Sequence, residues 1–271
     1  MLKFLITYSD KTEKYLDNVL TVILNADVEV PADDLTITIP YDEKISENAD
    51  FITAFLDEKA VFTGQIDEII GIKSKDGAIT KITARSPSAF LLDNEAEPLT
   101  YINPSADFIF NRHLKPFGLT EYDADDVPFF GTLKIDKGMT HWQVFRNFCI
   151  NRYGKEPRIT GKGKAFFKGF EGGETINFGK NGIGYTAIRE NKRRFKLISE
   201  VRLKLTEAGT YGGCIKNENP ECKGIERVRY VNATADKTTV QTADNIISKS
   251  NSDSYSIALD CVGCLIESIG R

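Results

Sequence analysis

The residues best equipped for chemistry are five cysteines, two histidines and a few clusters of charge. Cys261-Val262-Gly263-Cys264 is a CxxC, and Cys214 and Cys222 offer a second pair. Four thiolates can hold a structural zinc tetrahedrally. The step from Cys214 to Cys222 is far wider than in a zinc knuckle, however, and the CxxC ends a β run where a redox motif would open a helix. The total is odd with Cys149, and a chain made in the cytosol keeps its thiols reduced. Packing as small apolar groups is therefore the expected role of the cysteines. Cys214, Cys222, Cys261 and Cys264 are the only metal-ligand set the sequence offers, and neither a metal nor a cofactor is expected.

The other groups read in the same way. His113 recurs at helical spacing among apolar residues, and His141 falls in the first turn of a second helix beside Trp142. Neither has a nucleophile or carboxylate in a recognisable motif, so both are expected on a helix surface or satisfied in the core. Asp33-Asp34 and the run Asp123, Asp125, Asp126 are acidic pairs. A glycosidase needs two carboxylates across a cleft, and a calcium loop needs oxygens at fixed offsets with a glycine. Residues 123 to 131 do not fit the second pattern, and both groups are expected to be solvated loop charges. Gly161-Lys162-Gly163-Lys164 lacks phosphate-loop spacing and opens a strand. Lys192-Arg193-Arg194 reads as a solvated turn between two strands. The chain is not expected to be an enzyme, and no catalytic residue is assigned.

The elements that must position these groups fall into three stretches. Val19 to Leu24, Leu35 to Ile39 and Ala60 to Ile70 are rich in β-branched residues, and Lys75-Asp76-Gly77 marks a hairpin turn into Ala78 to Ala84. A short helix from Ser88 to Asp93 follows, then the breaker Asn94 to Pro98, then a helix opened by Pro104-Ser105 and stopped by Pro116 and Gly118. Thr140 and Gln143 form a capping box for a helix over His141 to Tyr153, with Gly154 behind it. Arg158 to Thr160 and Lys164 to Phe167 read as a hairpin. Glu171-Gly172-Gly173 is the linker candidate. Strands are expected at Glu174 to Phe178, Tyr185 to Arg189, Phe195 to Leu205 and Tyr255 to Leu259, a loop at Glu207 to Gly224, and a helix at Thr239 to Ser250 with Val240, Ala243, Ile246 and Ile247 on one face.

With 271 residues, 41% hydrophobic and 27% charged, the chain has the composition of a soluble globular protein of two or three domains. A net charge of −4 argues against a protein that grips phosphate backbones. The opening apolar run, Met1 to Tyr8, is too short for a signal peptide, and no segment reaches membrane-spanning length.

Residues 84 to 119 carry a more specific signal. Asp93-Asn94-Glu95-Ala96-Glu97-Pro98, Tyr101, Pro104-Ser105 and Pro116-Phe117-Gly118-Leu119 resemble the baseplate hub proteins of contractile phage tails, prophage elements and phage-tail-like bacteriocins, the late-control protein D group. Phe62 to Glu68, Pro31 to Leu35 and Thr242 to Ile246 also fit that group. The resemblance implies a mainly β fold with an α+β part. Two tail-tube-like β-barrels, residues 1–93 and 174–271, would be joined by an α+β domain over 94–173. Related hubs continue past the equivalent of Leu265 to Arg271, so this chain is read as either a short member of the group or a C-terminally truncated one, with the second barrel incomplete.

The resemblance further implies a homotrimer forming a pseudo-sixfold ring between tail tube protein and spike protein, beside other baseplate proteins. Assembly would occur in the bacterial cytoplasm, followed by residence in the virion or tail-like particle. Neither sequence-specific nucleic acid nor a membrane is an expected partner. Two other readings stand beside it: a tail-tip cell-wall hydrolase, and a zinc-stabilised binding module built on the four cysteines.

Overall fold

A computed structural model describes residues 1–27, 31–125, 130–160, 163–169, 175–204, 209–232 and 238–261. The chain is mainly β and divides into two compact units, Met1–Ile150 with Glu156–Gly173 and Leu265–Arg271, and Asn151–Lys155 with Glu174–Cys264.

The first unit is dominated by one seven-stranded antiparallel sheet. Its strands are β1 (Leu2–Tyr8), β2 (Glu13–Tyr15), β3 (Thr21–Asn25), β4 (Asp34–Pro40), β5 (Ala49–Leu56), β6 (Lys59–Ser74) and β7 (Gly77–Arg85), in the spatial order β2-β1-β5-β6-β7-β4-β3. A short helix, α1 (Glu43–Asn48), precedes β5 and is capped by Asp42, which accepts from the Ile45 amide at 3.2 Å. Period-two patterning sends one face inward: Phe4, Ile6 and Tyr8 of β1, Leu35, Ile37 and Ile39 of β4, Ile52 and Ala54 of β5, and Ile82 and Ala84 of β7 all belong to a single buried cluster. Leu24 of the edge strand β3 and Leu16, just past the opposite edge strand β2, also pack against it. The sheet is therefore rolled around its own core. It does not close, because β2 pairs only with β1 and β3 only with β4.

The two-barrel expectation is thus corrected for the described residues: no sheet is hydrogen-bonded into a closed barrel. The second unit holds a two-stranded sheet of β13 (Tyr185–Lys192) with β17 (Tyr255–Cys261), and a three-stranded sheet in the order β15-β14-β16. Those strands are β14 (Glu200–Lys204), β15 (Gly213–Lys216) and β16 (Val228–Asn232), the last parallel to β14. Helix α5 (Thr238–Ser254) supplies Ala243, Ile246 and Ile247 to a core with Ile198, Val201 and Leu203; the side chain of Val240 lies outside the described set.

Between the seven-stranded sheet and the end of the first unit run α2 (Ala89–Asp93), β8 (Thr100–Ile102), α3 (Ala106–Ile109), β9 (Glu121–Asp123), β10 (Thr132–Lys134), α4 (His141–Tyr153), β11 (Arg158–Ile159) and β12 (Lys164–Phe166). Thr140 and Gln143 exchange reciprocal bonds, the Gln143 amide donating to the Thr140 hydroxyl at 3.2 Å and the Thr140 amide to the Gln143 carboxamide at 2.8 Å, so α4 begins where the capping box placed it. The helix opened by Ser105 changes pitch: after α3 the chain widens to a π turn over Phe110–Leu114, then tightens to a 3-10 turn over Lys115–Phe117. Pro116 has no amide to donate, and Gly118 ends the segment at φ +86°.

Two strand expectations change in the second unit. Phe195 lies in a 3-10 turn over Arg194–Lys196, and the strand begins only at Glu200. In place of a strand at residues 175 to 178 there is an isolated bridge from Phe178 to Ile183.

Gly64 lies where β6 crosses tightly over its neighbours. A methyl group there would meet the Arg85 carbonyl and the Phe62 ring at 2.6 Å each. Gly64→Ala is expected to destabilise the chain by about 1–3 kcal/mol, through overpacking, in urea-unfolding measurements.

Candidate functional site

The stretch from Arg85 to His141 carries a series of polar contacts, built mostly by residues adjoining element ends. Arg85, the last residue of β7, forks between Asp67 of β6 (2.6 Å) and Asp93 of α2 (2.7 Å). Both carboxylates hold the guanidinium pKa above its ordinary value. Just beyond it the buried Ser86 and Ser88 hydroxyls bond each other at 2.9 Å. Ser88 also donates to the Pro31 carbonyl at 2.5 Å, and the Asp33 amide donates to Ser86 at 3.1 Å. These bonds satisfy backbone that enters and leaves the sheet at the same corner.

Asp33 contradicts its reading as a solvated loop charge: it is buried, 7% exposed, and accepts from Arg158 of β11 at 3.2 Å. Arg158 is equally buried and also donates to the Asp27 carbonyl. Desolvation raises the Asp33 pKa in spite of the guanidinium, whose charge and hydrogen bond act the other way. Asp34 takes a bond from Asn25 at 3.0 Å, and Asp125 pairs with Lys168 at 2.7 Å; Asp126 lies outside the described residues.

The breaker Asn94 to Pro98 docks on the start of α4. The His141 amide donates to the Asn94 carbonyl at 3.1 Å, and Ala96 donates to Met139 at 2.8 Å. This brings together the two histidines that sequence spacing kept apart. His113 in the π turn faces His141 with Nδ1 to Nδ1 at 3.0 Å, and its Nε2 lies 3.0 Å from the Tyr101 hydroxyl. Phe108 and Phe117 pack edge-on against Tyr101 and His141. His113 is 2% exposed. Burial, then the neighbouring His141 and Arg112, push its pKa down to about 4; burial also lowers that of His141. A neutral pair shares one proton across the 3.0 Å contact, one nitrogen donating and the other accepting, which two imidazolium rings cannot do.

Among the described residues the cysteines do not converge on a metal site. Cys214 is exposed on β15 with its thiol 3.5 Å from Glu200, and Cys222 is buried with its thiol 3.7 Å from the Ile198 carbonyl, where burial raises its pKa. Cys261 ends β17, paired in register with Tyr185. Cys264 lies outside the described residues. Among the described residues no group of three or more His, Cys, Asp or Glu side chains is arranged to hold a metal ion. Gly161 and Lys162 are also outside them. Lys192, Arg193 and Arg194 are exposed, from the end of β13 toward β14. Sequence reasoning missed the Arg85 fork and the Asp33–Arg158 and His113–His141 pairs. Only the order of residues in 84 to 119 hinted that this segment is special.

No helix among the described residues is long and apolar enough to cross a membrane. No protein-family model matches the chain, nor does any curated protein sequence. Solved structures do match in fold. The crystal structure of the 43 kDa tail protein of prophage MuSo2 from Shewanella oneidensis superposes with a TM-score of 0.75 at 16% identity, over 97% of this chain and 83% of that one. A tail protein from Neisseria meningitidis gives 0.76 at 17% identity, over 97% and 80%. The prophage tail protein gp18 from Listeria monocytogenes gives 0.55 at 12%, over 89% and 76%.

Two measurements probe the network. The unfolded His113 ring takes up its proton near pH 6.5 and the folded ring only near 4. Between those values the unfolded chain binds a proton that the folded chain excludes, so stability is complete above about pH 6.5 and declines by up to about 3 kcal/mol toward pH 4. Urea unfolding across this range should show that slope, and His113→Gln should flatten it. Asp33→Ala removes the buried carboxylate that pairs with Arg158 and is expected to cost roughly 3–5 kcal/mol, more than Asp34→Ala. Across 97% of its length the chain shares the fold of the tail proteins from Shewanella oneidensis and Neisseria meningitidis.

Proposed function

We propose that the chain is a structural hub of a contractile phage-type tail, a homotrimer whose pseudo-sixfold ring joins the tail tube protein to the spike protein. The observation that carries this reading is the superposition of 97% of the chain on tail proteins of Neisseria meningitidis and Shewanella oneidensis at identities of 17% and 16%. A fold kept across nearly the whole chain while sequence diverges is what a scaffold selected for shape would show.

The rolled sheet supports the same reading. Its edge strands β2 and β3 present unpaired backbone groups and the exposed side chains of Tyr15, Val22 and Ile23, a combination that invites pairing with another chain. In the proposed assembly residues 1–93 and 174–271 are tube-like β domains, 94–173 connects them, and neighbouring copies cover the edges of β2 and β3. The polar contacts of Arg85, of Asp33 with Arg158 and of the histidine pair then serve to fix the connecting part, and these groups take no part in chemistry. Assembly takes place in the bacterial cytoplasm and the product stays with the particle, beside other baseplate proteins.

Sedimentation of the purified chain with the tube and spike proteins encoded beside it is expected to give a complex holding three copies. A monomer that joins neither partner would refute the ring. Release of soluble fragments from peptidoglycan by the chain alone would support a tail-tip hydrolase in its place.

A further inference from the structure

The two-stranded ribbon of β13 and β17 is amphipathic and uncovered. Its register places Ile188 opposite Leu259, Glu190 opposite Ile257 and Lys192 opposite Tyr255 on one face. The other face carries Arg189, Asn191, Ser256 and Asp260, with Arg189 and Asp260 paired at 2.8 Å. Ile188 is 49% exposed and Ile257 50% on the apolar face. Neither strand has a further neighbour among the described residues, and two strands alone are marginal in water.

At one end the apolar face runs into cations. Lys192, Arg193, Arg194 and Lys196 follow in four of five consecutive positions, all exposed, around a Phe195 ring that is 65% exposed. The turn is held rigidly: Arg193 donates its amide to Ser254 at 2.6 Å, Arg194 reaches the Lys223 carbonyl at 3.2 Å, and Arg227 donates to the Arg194 carbonyl at 2.9 Å. Lys196 lies 5.7 Å from the ring centre of Phe195. No hydrogen bond or ion pair among the described residues engages the Lys192 or Arg193 side chains. A concentrated basic end on a chain of net charge −4 calls for an acidic occupant, and the aliphatic face beside it calls for apolar side chains. Polypeptide supplies both. Nucleic acid offers no aliphatic groups to that face, and the guanidinium of Arg194 is already committed to backbone carbonyls.

We infer that the outer edge of β13 is a docking site for an extended partner segment that adds as a third strand, an apolar residue of it beside Ile188 and its acidic end against Lys192 to Lys196. Strand addition of this kind takes affinity from the backbone and specificity from every second side chain. The inference rests on the ribbon itself and stands whether or not the ring reading holds.

The test uses the full chain and a fluorescent peptide of three aspartates followed by alternating valine and threonine, with a lysine-headed peptide and single-stranded oligodeoxythymidylate as comparisons, in anisotropy titrations. The aspartate peptide alone is expected to bind. Arg193→Glu combined with Lys196→Glu should weaken it at least tenfold, Ile188→Asp should do likewise, and Ser256→Asp on the opposite face should leave it unchanged, with circular dichroism verifying that each variant is folded. Failure of the aspartate peptide to bind, or binding that ignores these substitutions, overturns the inference. So does oligodeoxythymidylate binding that charge reversal abolishes, which would make the turn a nucleic-acid site. Self-association abolished by Ile188→Asp would assign the edge to a second copy of the chain and overturn it too.

Discussion

A sheet that rolls around its core without closing is the constraint on which the rest of this molecule turns. Side chains from both margins, Leu16 beside β2 and Leu24 on β3, reach the same buried cluster, so the hydrophobic effect is satisfied within the chain. The hydrogen bonds are not, because the outer backbone groups of β2 and β3 face away from any neighbour in the sheet. A barrel would remove those edges by closure. An open roll leaves them to water or to another chain, which is a hazard for a free monomer and an advantage for a subunit.

Rolling the sheet also crowds one corner, and the buried polar network answers that crowding. The chain passes this corner near Pro31 to Asp33 and again at Arg85 to Ser88, and later elements of the first unit return to it through Arg158. Burying a guanidinium and a carboxylate together costs desolvation that their attraction only partly offsets, as the upward shift of Asp33 shows. The return is geometric: two segments far apart in sequence are held in one register. The histidine pair acts in the same way between the π turn and the start of α4, with neutral rings where charged ones would repel.

What the sequence revealed and what it concealed divide along locality. The Lys75-Asp76-Gly77 turn, the Thr140 and Gln143 capping box and the bounds of α4 depend on residues a few positions apart, and all three are found where the sequence placed them. The parallel partner of β14 was not legible: Val228, Tyr230 and Val231 suit a strand, but a parallel pairing across a connection of more than twenty residues leaves no local signal. His113 and His141 were each noticed, yet their contact depends on Asn94 to Ala96 docking against residues 139 to 141, which no periodicity encodes. Asp33 was misread because an acidic pair beside a proline looks like a loop, and only Arg158, distant in sequence, makes its burial tolerable. Barrel closure was expected from the family likeness, whereas the hydrogen bonding leaves the sheet open.

The central claim is that this fold works by position within a larger particle. Electron cryomicroscopy of the intact tail, with the chain located by its own density, tests it most directly. The account predicts three copies at the junction of tube and spike, with the edges of β2 and β3 covered by neighbouring protein. Density for the chain elsewhere in the particle, or three copies whose sheet edges remain open to solvent, would contradict it.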